Sequence, residues 1–138
     1  MIARGLRFAA CAEQLAGSPF RLHGREPDGL DCVGLVALAL ARAGLKAPVP
    51  AGYRLRNTDV SAFMPFAAQA GFAAACGPLQ RGDLLLVRPG AAQQHLCIAI
   101  DPSRIVHAHA GLGRVAVHTL PAAWHIQYHW RLCADPKE

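Results

Sequence analysis

The sequence predicts a single α+β domain, spanning residues 1–138, in which helices come first and an antiparallel sheet follows. Long apolar stretches lie before Gly71, whereas short runs rich in Val, Ile, Leu and aromatic residues alternate with Gly or Pro turns after Gly82. The chain is 53% hydrophobic and 17% charged, so it can bury a compact core. We find no internal repeat and no second domain.

Three helices are predicted before the sheet. The first covers residues 3–16 and stops at Gly17, and a loop follows over 17–31. The second covers 32–43 and is apolar on all sides, which indicates a buried helix. A third, shorter helix is predicted over 59–70.

Five strands are predicted, at 84–87, 96–100, 104–108, 115–120 and 126–132. The connections at 101–103 and 111–113 have hairpin length, which favours an antiparallel meander. His95 begins the second of these strands, and alternation places His95 and Cys97 on one face and Leu96 and Ile98 on the other. We expect the Leu/Ile face to pack on the helices.

Composition excludes several classes of function. The net charge is +5, but no basic run has interleaved aromatic residues, so no nucleic-acid partner is expected. The five cysteines are odd in number and form no C-x-x-C pair, which argues against a disulfide framework and a structural zinc site. No cofactor is expected. All cysteines except Cys32 are expected in the core. Four histidines match no ligand spacing and are expected to be scattered, namely His23, His118, His125 and His129.

Nothing in the sequence predicts export or membrane insertion. The apolar run 8–12 is too short for a signal peptide and Glu13 interrupts it, and no run is long enough for a membrane span. We therefore expect a protein made in the cytoplasm without a signal peptide. If it acts on the cell wall, another carrier must deliver it.

Cys32 is the strongest catalytic candidate because it begins the central helix. Asp31 is a suitable N-cap, and the first helical turn offers unpaired N–H groups and the positive end of the helix dipole. Both effects favour the thiolate and thus a lowered pKa. The competing interpretation is an ordinary buried core thiol. His95 and His107, in the following strands, could supply a papain-like base and its partner.

Four ordered motifs resemble those of the NlpC/P60 cell-wall peptidases. Gly17-Ser-Pro-Phe-Arg-Leu-His-Gly24 resembles G-x-P/R-Y-x-x-G-G, and Asp31-Cys-Val-Gly-Leu-Val36 resembles D-C-S-G-h-V, where h is apolar. Arg81-Gly-Asp-Leu84 resembles P-G-D-L. The strand starting at His95 resembles H-V-G-I-Y, and Ile105-Val-His-Ala108 resembles h-I-H-A. The resemblance implies a papain-like core.

The resemblance also implies an activity and its residues. Family members cut peptidoglycan stem peptides, commonly between γ-D-glutamate and a diamino acid. Cys32 would be the nucleophile, His95 the general base and His107 the residue that orients His95. His109 lies two residues further along the same strand and is a rival for the third position.

The chain departs from the family pattern near the expected substrate pocket. Phe20 replaces a tyrosine, His23 replaces the first glycine of a pair, and Val33 replaces a serine. Asp31 is expected to cap the helix and to point away from the sulfur. The predicted substrate-binding residues are Phe20, His23, Asp31, Val33 and His109.

The chain resembles stand-alone family members encoded with phage tails and gene-transfer particles, which implies partner proteins in such a particle. Two alternatives stay open. One is a tail-assembly protein that keeps the fold without activity, and the changes at Phe20 and His23 support it. The other is a related thiol amidase or acyltransferase, which the same three residues could serve.

Overall fold

The computed structural model describes residues 3–48, 63–91 and 93–133. Within them, the helices are α1 (Arg4–Gln14), α2 (Cys32–Arg42) and α3 (Phe63–Ala70). The strands are β1 (Arg25–Glu26), β2 (Gly29–Leu30), β3 (Phe72–Ala74), β4 (Leu84–Arg88), β5 (His95–Ala99), β6 (Arg104–His109), β7 (Arg114–Thr119) and β8 (His125–Leu132). The α+β class is confirmed.

Six strands form one sheet in the order β3-β8-β4-β5-β6-β7, and every neighbouring pair is antiparallel. All five predicted strands are present. The meander holds from β4 to β7, but it is wrong for β8, which returns to pair with β4 and β3. The sequence could not show this crossing, because a strand's pattern does not identify its neighbour. The short hairpin β1–β2 was not predicted either.

Helix α2 is the centre of the core, as its all-round apolar sequence predicts. Eight of its eleven residues are buried. It packs on β5 and β6, and Leu96 and Ile98 belong to the same hydrophobic cluster as its side chains. Cys97 belongs to a second cluster with Leu85, Val87 and Ile105. The predicted alternation of β5 between two faces is therefore confirmed.

The third helix agrees with its prediction over the described residues, and its predicted start at 59–62 lies outside them. Pro65 falls in the first turn of the described helix, where a missing N–H is tolerated. No helix within 3–48, 63–91 or 93–133 is long and apolar enough to span a membrane.

Two expectations about buried residues need correction. All five cysteines are free, but only Cys32 and Cys97 are buried, whereas Cys76 and Cys133 are exposed because they lie in connections outside regular structure. His129 is not a scattered surface histidine. Its Nε2 lies 2.6 Å from a carboxylate oxygen of Asp83, which is completely buried and also binds Arg131.

Candidate active site

Asp31 fixes the start of α2, as predicted. Its Oδ1 accepts hydrogen bonds from the backbone N–H of Gly34 at 2.7 Å and from the Arg25 guanidinium at 3.2 Å. Its Oδ2 accepts from the backbone N–H of His23 at 2.8 Å. The carboxylate is thus held by the helix and the preceding loop, which is the role of an N-cap and loop anchor.

The loop before α2 packs very closely on the helix start. A Cβ at Gly34 would lie 1.9 Å from the carbonyl oxygen of Gly24, so only glycine fits there. His23, next to Gly24, has φ of 61°, a left-handed conformation that favours glycine. The family pattern has a glycine at this position, so the substitution by His23 adds backbone strain beside the nucleophile candidate.

The paired ladder between β5 and β6 is short, and α2, which begins at Cys32, packs on both strands. The pairs Ile98↔Val106 and Ala99↔Ile105 join these strands, and the ladder stops before Leu96. The N–H of Ile100 donates to the carbonyl oxygen of Arg104 in β6. Because hydrogen-bonding directions alternate along a strand, the N–H of Leu96, four residues earlier, also points toward β6. The backbone N–H of Leu96 acts on the Cys32 thiol, where it lowers the pKa.

The thiol does not have the lowered pKa that the helix start predicts. Burial raises the pKa of Cys32 to about 12. The backbone N–H groups of Leu96, Val33 and Cys32 itself lower this pKa, but their effect is smaller than that of burial. The side chain has no solvent exposure. Desolvation of the thiolate outweighs the helix start here, so Cys32 is a neutral thiol at pH 7.

His95 and His107 are joined directly, from neighbouring strands. His95 Nε2 lies 2.6 Å from His107 Nδ1. Burial, with His109 and His118 nearby, lowers the pKa of His95 to about 4. Burial, with the three other histidines nearby, lowers the pKa of His107 to about 2. Both rings are neutral at pH 7. The contact between the Cys32 sulfur and His95 stays a prediction.

His118 extends this pair into a chain of three imidazoles, which the sequence analysis missed. Its Nε2 lies 2.5 Å from His107 Nε2, and its Nδ1 lies 2.8 Å from the carbonyl oxygen of Thr119. The missing signal was the β6–β7 register, in which His118 is opposite Ile105 and so shares the face of His107. The expectation of a scattered surface histidine is wrong for His118.

The Thr119 carbonyl determines the proton positions along this chain when all three rings are neutral. A carbonyl only accepts, so His118 donates Nδ1–H to it and keeps a lone pair on Nε2. His107 then donates Nε2–H to His118 and accepts at Nδ1 from His95 Nε2–H. His95 is left with an unprotonated Nδ1. This nitrogen is the one that can accept a proton from a nucleophile.

Trp124 covers the imidazole chain. Its ring packs edge-on against His95, with ring centroids 5.6 Å apart, and against His107, at 5.4 Å. It lies in the connection between β7 and β8. Excluding water from the imidazoles keeps their hydrogen bonds in a low-dielectric environment, where they are stronger.

His109, the rival for the third position, is outside the chain of imidazoles. Its Nδ1 accepts a hydrogen bond from the backbone N–H of Leu112 at 3.0 Å. Its ring centroid is 5.0 Å from that of His107. The geometry therefore favours His107 as the partner of His95, whereas the catalytic role of either residue stays a prediction.

The predicted substrate-binding residues are not equally accessible. His23 is exposed, Phe20 and His109 are half-buried, and Asp31 and Val33 are completely buried. Val33 packs in the core below the start of α2. Contact of these residues with a substrate stays a prediction, and His23, Phe20 and His109 are the ones with exposed surface to make it.

Three potential metal ligands also meet at this site. One nitrogen each of His95 and His107 and the sulfur of Cys97 all lie within 4.8 Å of one another. The sequence expectation of no metal ligands rested on spacing within one segment, whereas this group combines two strands.

The chain belongs to the NlpC/P60 family, whose signature matches residues 17–132. The ordered motifs had predicted this membership. No curated protein sequence matches the chain closely enough to be compared with it.

Solved structures share the fold at low sequence identity. NlpC2 from Trichomonas vaginalis superposes with a TM-score of 0.70 and 16% identity over 98% of this chain and 49% of that protein, so this chain spans about half its length. The NlpC/P60 domain of the peptidoglycan hydrolase SagA superposes with a TM-score of 0.63 and 20% sequence identity, over 91% of this chain and 96% of that domain. The peptidoglycan hydrolase RipB from Mycobacterium tuberculosis superposes with a TM-score of 0.62 and 19% sequence identity, over 96% of this chain and 65% of that protein.

Proposed function

We propose that this protein is a cysteine peptidase that hydrolyses amide bonds in peptidoglycan stem peptides. Membership of the NlpC/P60 family supports cell-wall peptidase activity, and similar folds occur in the peptidoglycan hydrolases SagA and RipB. The observation that carries the proposal is the hydrogen-bonded pair of His95 and His107, and the strand neighbour of His95, Leu96, acts through its backbone on the Cys32 thiol.

The proposed reaction starts from a neutral thiol and a neutral imidazole. Cys32 transfers its proton to His95 Nδ1 as its sulfur attacks the substrate carbonyl. The backbone N–H of Cys32, at the helix start, donates to the developing oxyanion. His95 then protonates the departing amine, and the acyl group stays on Cys32 as a thioester. Water, deprotonated by His95, hydrolyses the thioester and restores the thiol.

His107 and His118 have positioning roles in this mechanism. Accepting a hydrogen bond from His95 Nε2–H, His107 keeps the proton off Nδ1 and stabilises the imidazolium that forms during catalysis. His118 holds His107 in the required tautomer. Because Cys32 has no solvent exposure, neighbouring residues must move before a substrate carbonyl can reach the sulfur.

The proposed bond is the one between γ-D-glutamate and a diamino acid, by analogy with the family pattern. Digestion of purified peptidoglycan followed by mass analysis tests both the activity and the bond. We expect fragments with a new amino terminus on the diamino acid, absent with Cys32→Ala and retained with the exposed control Cys76→Ser. Equal product from Cys32→Ala would contradict the nucleophile, and cleavage at another amide would contradict the proposed bond.

We also propose that a phage-like particle delivers the protein to the wall. The support is the resemblance to stand-alone family members encoded with phage tails. Peptide mass analysis of purified particles from a producing strain tests this, since the protein should stay with the particles at a fixed ratio to tail proteins. Its complete loss on purification would contradict the proposal.

A second candidate function is a structural tail protein without activity. The specific observation in its favour is that Cys32 is completely buried and its pKa is raised to about 12. Particle assembly separates the two functions. A structural protein predicts that Cys32→Ala particles assemble and infect normally, whereas a peptidase predicts normal assembly with impaired entry through the wall.

A further inference from the structure

Cys97 is a buried thiol that the proposed hydrolysis does not use. It lies on β5 with no solvent exposure, on the same strand face as His95. Its position corresponds to the glycine of the H-V-G-I-Y pattern, so this sulfur is an addition to the site. Its sulfur and one nitrogen each of His95 and His107 lie within 4.8 Å of one another.

We propose that His95, Cys97 and His107 form a binding site for a divalent transition metal, with zinc as the best match. Two imidazoles and one thiolate are the borderline-soft donors that zinc prefers, and three protein ligands leave a fourth position for water. Tetrahedral zinc places such ligand atoms about 3.3–3.6 Å apart, from bond lengths of about 2.0–2.3 Å. The 2.6 Å gap between His95 Nε2 and His107 Nδ1 must therefore open by about 0.7 Å.

The proton balance of metal binding is simple. The Cys97 thiol releases its proton to solvent, because only the thiolate is a ligand. His95 changes tautomer, with its proton on Nδ1 instead of Nε2, so that Nε2 can bind the metal. His107 binds through Nδ1 and keeps its Nε2–H. One proton is thus released for each metal bound.

The residues behind this cluster suit a metal site. Ligating histidines commonly donate their other N–H to a fixed acceptor, which sets the ring orientation and tautomer. His107 has such an acceptor in His118 Nε2, and His118 is in turn anchored by the Thr119 carbonyl. The same hydrogen bonds thus support either the unliganded chain of imidazoles or the metal-bound state.

Metal binding would inhibit the proposed hydrolysis, a consequence that rests on the proposed function. With the metal on Nε2, His95 carries its proton on Nδ1 and cannot accept one from Cys32. The site therefore acts as a reversible block on the general base. Metal binding itself does not depend on the activity, so the two can be tested separately.

Cobalt titration of the full chain under reducing conditions tests the site. We expect one Co²⁺ per chain, a thiolate-to-cobalt charge-transfer band, the d–d bands of tetrahedral cobalt, and displacement by Zn²⁺. Cys97→Ser should remove the charge-transfer band and weaken binding at least about 10-fold, a loss that even outer partners of ligands produce. Cys76→Ser and Cys32→Ala should keep the band.

Retention of the band in Cys97→Ser, or its loss in Cys76→Ser or Cys32→Ala, would overturn the assignment. Circular dichroism checks that Cys97→Ser folds. If it does not, His95→Gln at the partly exposed end of β5 replaces it and should weaken binding about 10-fold or more while keeping the thiolate band. Unchanged cobalt affinity in His95→Gln would overturn the site.

Hydrolysis with chelator and with added Zn²⁺ separates the two proposals. Cobalt binding through Cys97 in a protein without hydrolytic activity would support the site and contradict the peptidase. Hydrolysis with no cobalt binding would contradict the site alone. Hydrolysis that is unchanged in the zinc-loaded protein would contradict the predicted block of His95.

Discussion

Replacing His107 with alanine removes the hydrogen-bond acceptor of His95. His107 is completely buried, and its Nδ1 lies 2.6 Å from His95 Nε2. A hydrogen bond to a charged group, here the imidazolium that forms on His95 during the reaction, contributes about 1.5–3 kcal/mol, which corresponds to about 10- to 150-fold in rate at about 1.4 kcal/mol per factor of ten. Loss of the correct tautomer can extend this to about 10⁴-fold. We therefore expect turnover to fall by one to four orders of magnitude.

The assay is the turnover number on soluble peptidoglycan fragments, with folding checked by circular dichroism. His109→Ala is the matched control, because His109 lies two residues along the same strand but binds the Leu112 N–H instead. It should change turnover far less, and mainly through substrate affinity. His107→Asn should restore part of the loss, since the Asn side chain also offers an acceptor.

A larger effect of His109→Ala than of His107→Ala would assign the orienting role to His109, despite the 2.6 Å contact between His95 and His107. Small, equal effects of both substitutions would indicate a Cys–His dyad or an inactive protein.

The remaining predictions concern the imidazole chain and stability. His118→Ala should lower turnover about 5- to 150-fold by leaving the His107 N–H unsatisfied. ¹⁵N NMR should show a changed His95 tautomer in this variant, and an unchanged tautomer would contradict the positioning role of His118. Asp83→Asn should cost about 3 kcal/mol in urea unfolding at pH 7, the lower end for a buried pair because its partner Arg131 is one-third exposed. Burial would raise the pKa of Asp83, but hydrogen bonds, chiefly from Arg131, lower it overall. The ionised Asp83 therefore stabilises the fold above about pH 4, and this stabilisation is lost as the pH falls through the lowered pKa. A stability difference between wild type and Asp83→Asn that grows at acid pH would contradict this prediction. His23→Gly should raise stability by up to about 1 kcal/mol, because φ of 61° favours glycine, and a loss would show that the His23 side chain matters more.

Local patterns in the sequence predicted most of the fold. The Asp31 cap, the buried α2 and the alternation of β5 all follow from short-range rules and agree with the structure. The return of β8 to pair with β4 does not follow from them, because antiparallel strands of similar composition can pair in several orders.

The contact between His95 and His107 was predictable from the motifs, but the electrostatics of the candidate site were not. The motifs predicted roles for Cys32, His95 and His107, which stay predictions, and the helix start predicted a lowered thiol pKa. Burial reverses that direction, and burial depends on how distant segments pack over the sulfur. His118 was missed for the same reason, since only the β6–β7 register brings it to His107.

The most direct test of Cys32 as the nucleophile is detection of the acyl thioester that forms on the attacking sulfur. The protein is mixed with a soluble stem-peptide fragment, quenched in acid within the first turnovers and digested, and the peptides are mapped by mass spectrometry. We expect the acyl group of the substrate as a thioester on Cys32, absent from Cys97 and from the exposed Cys76. An acyl group on another cysteine, or hydrolysis that continues in Cys32→Ala, would show that Cys32 is not the nucleophile.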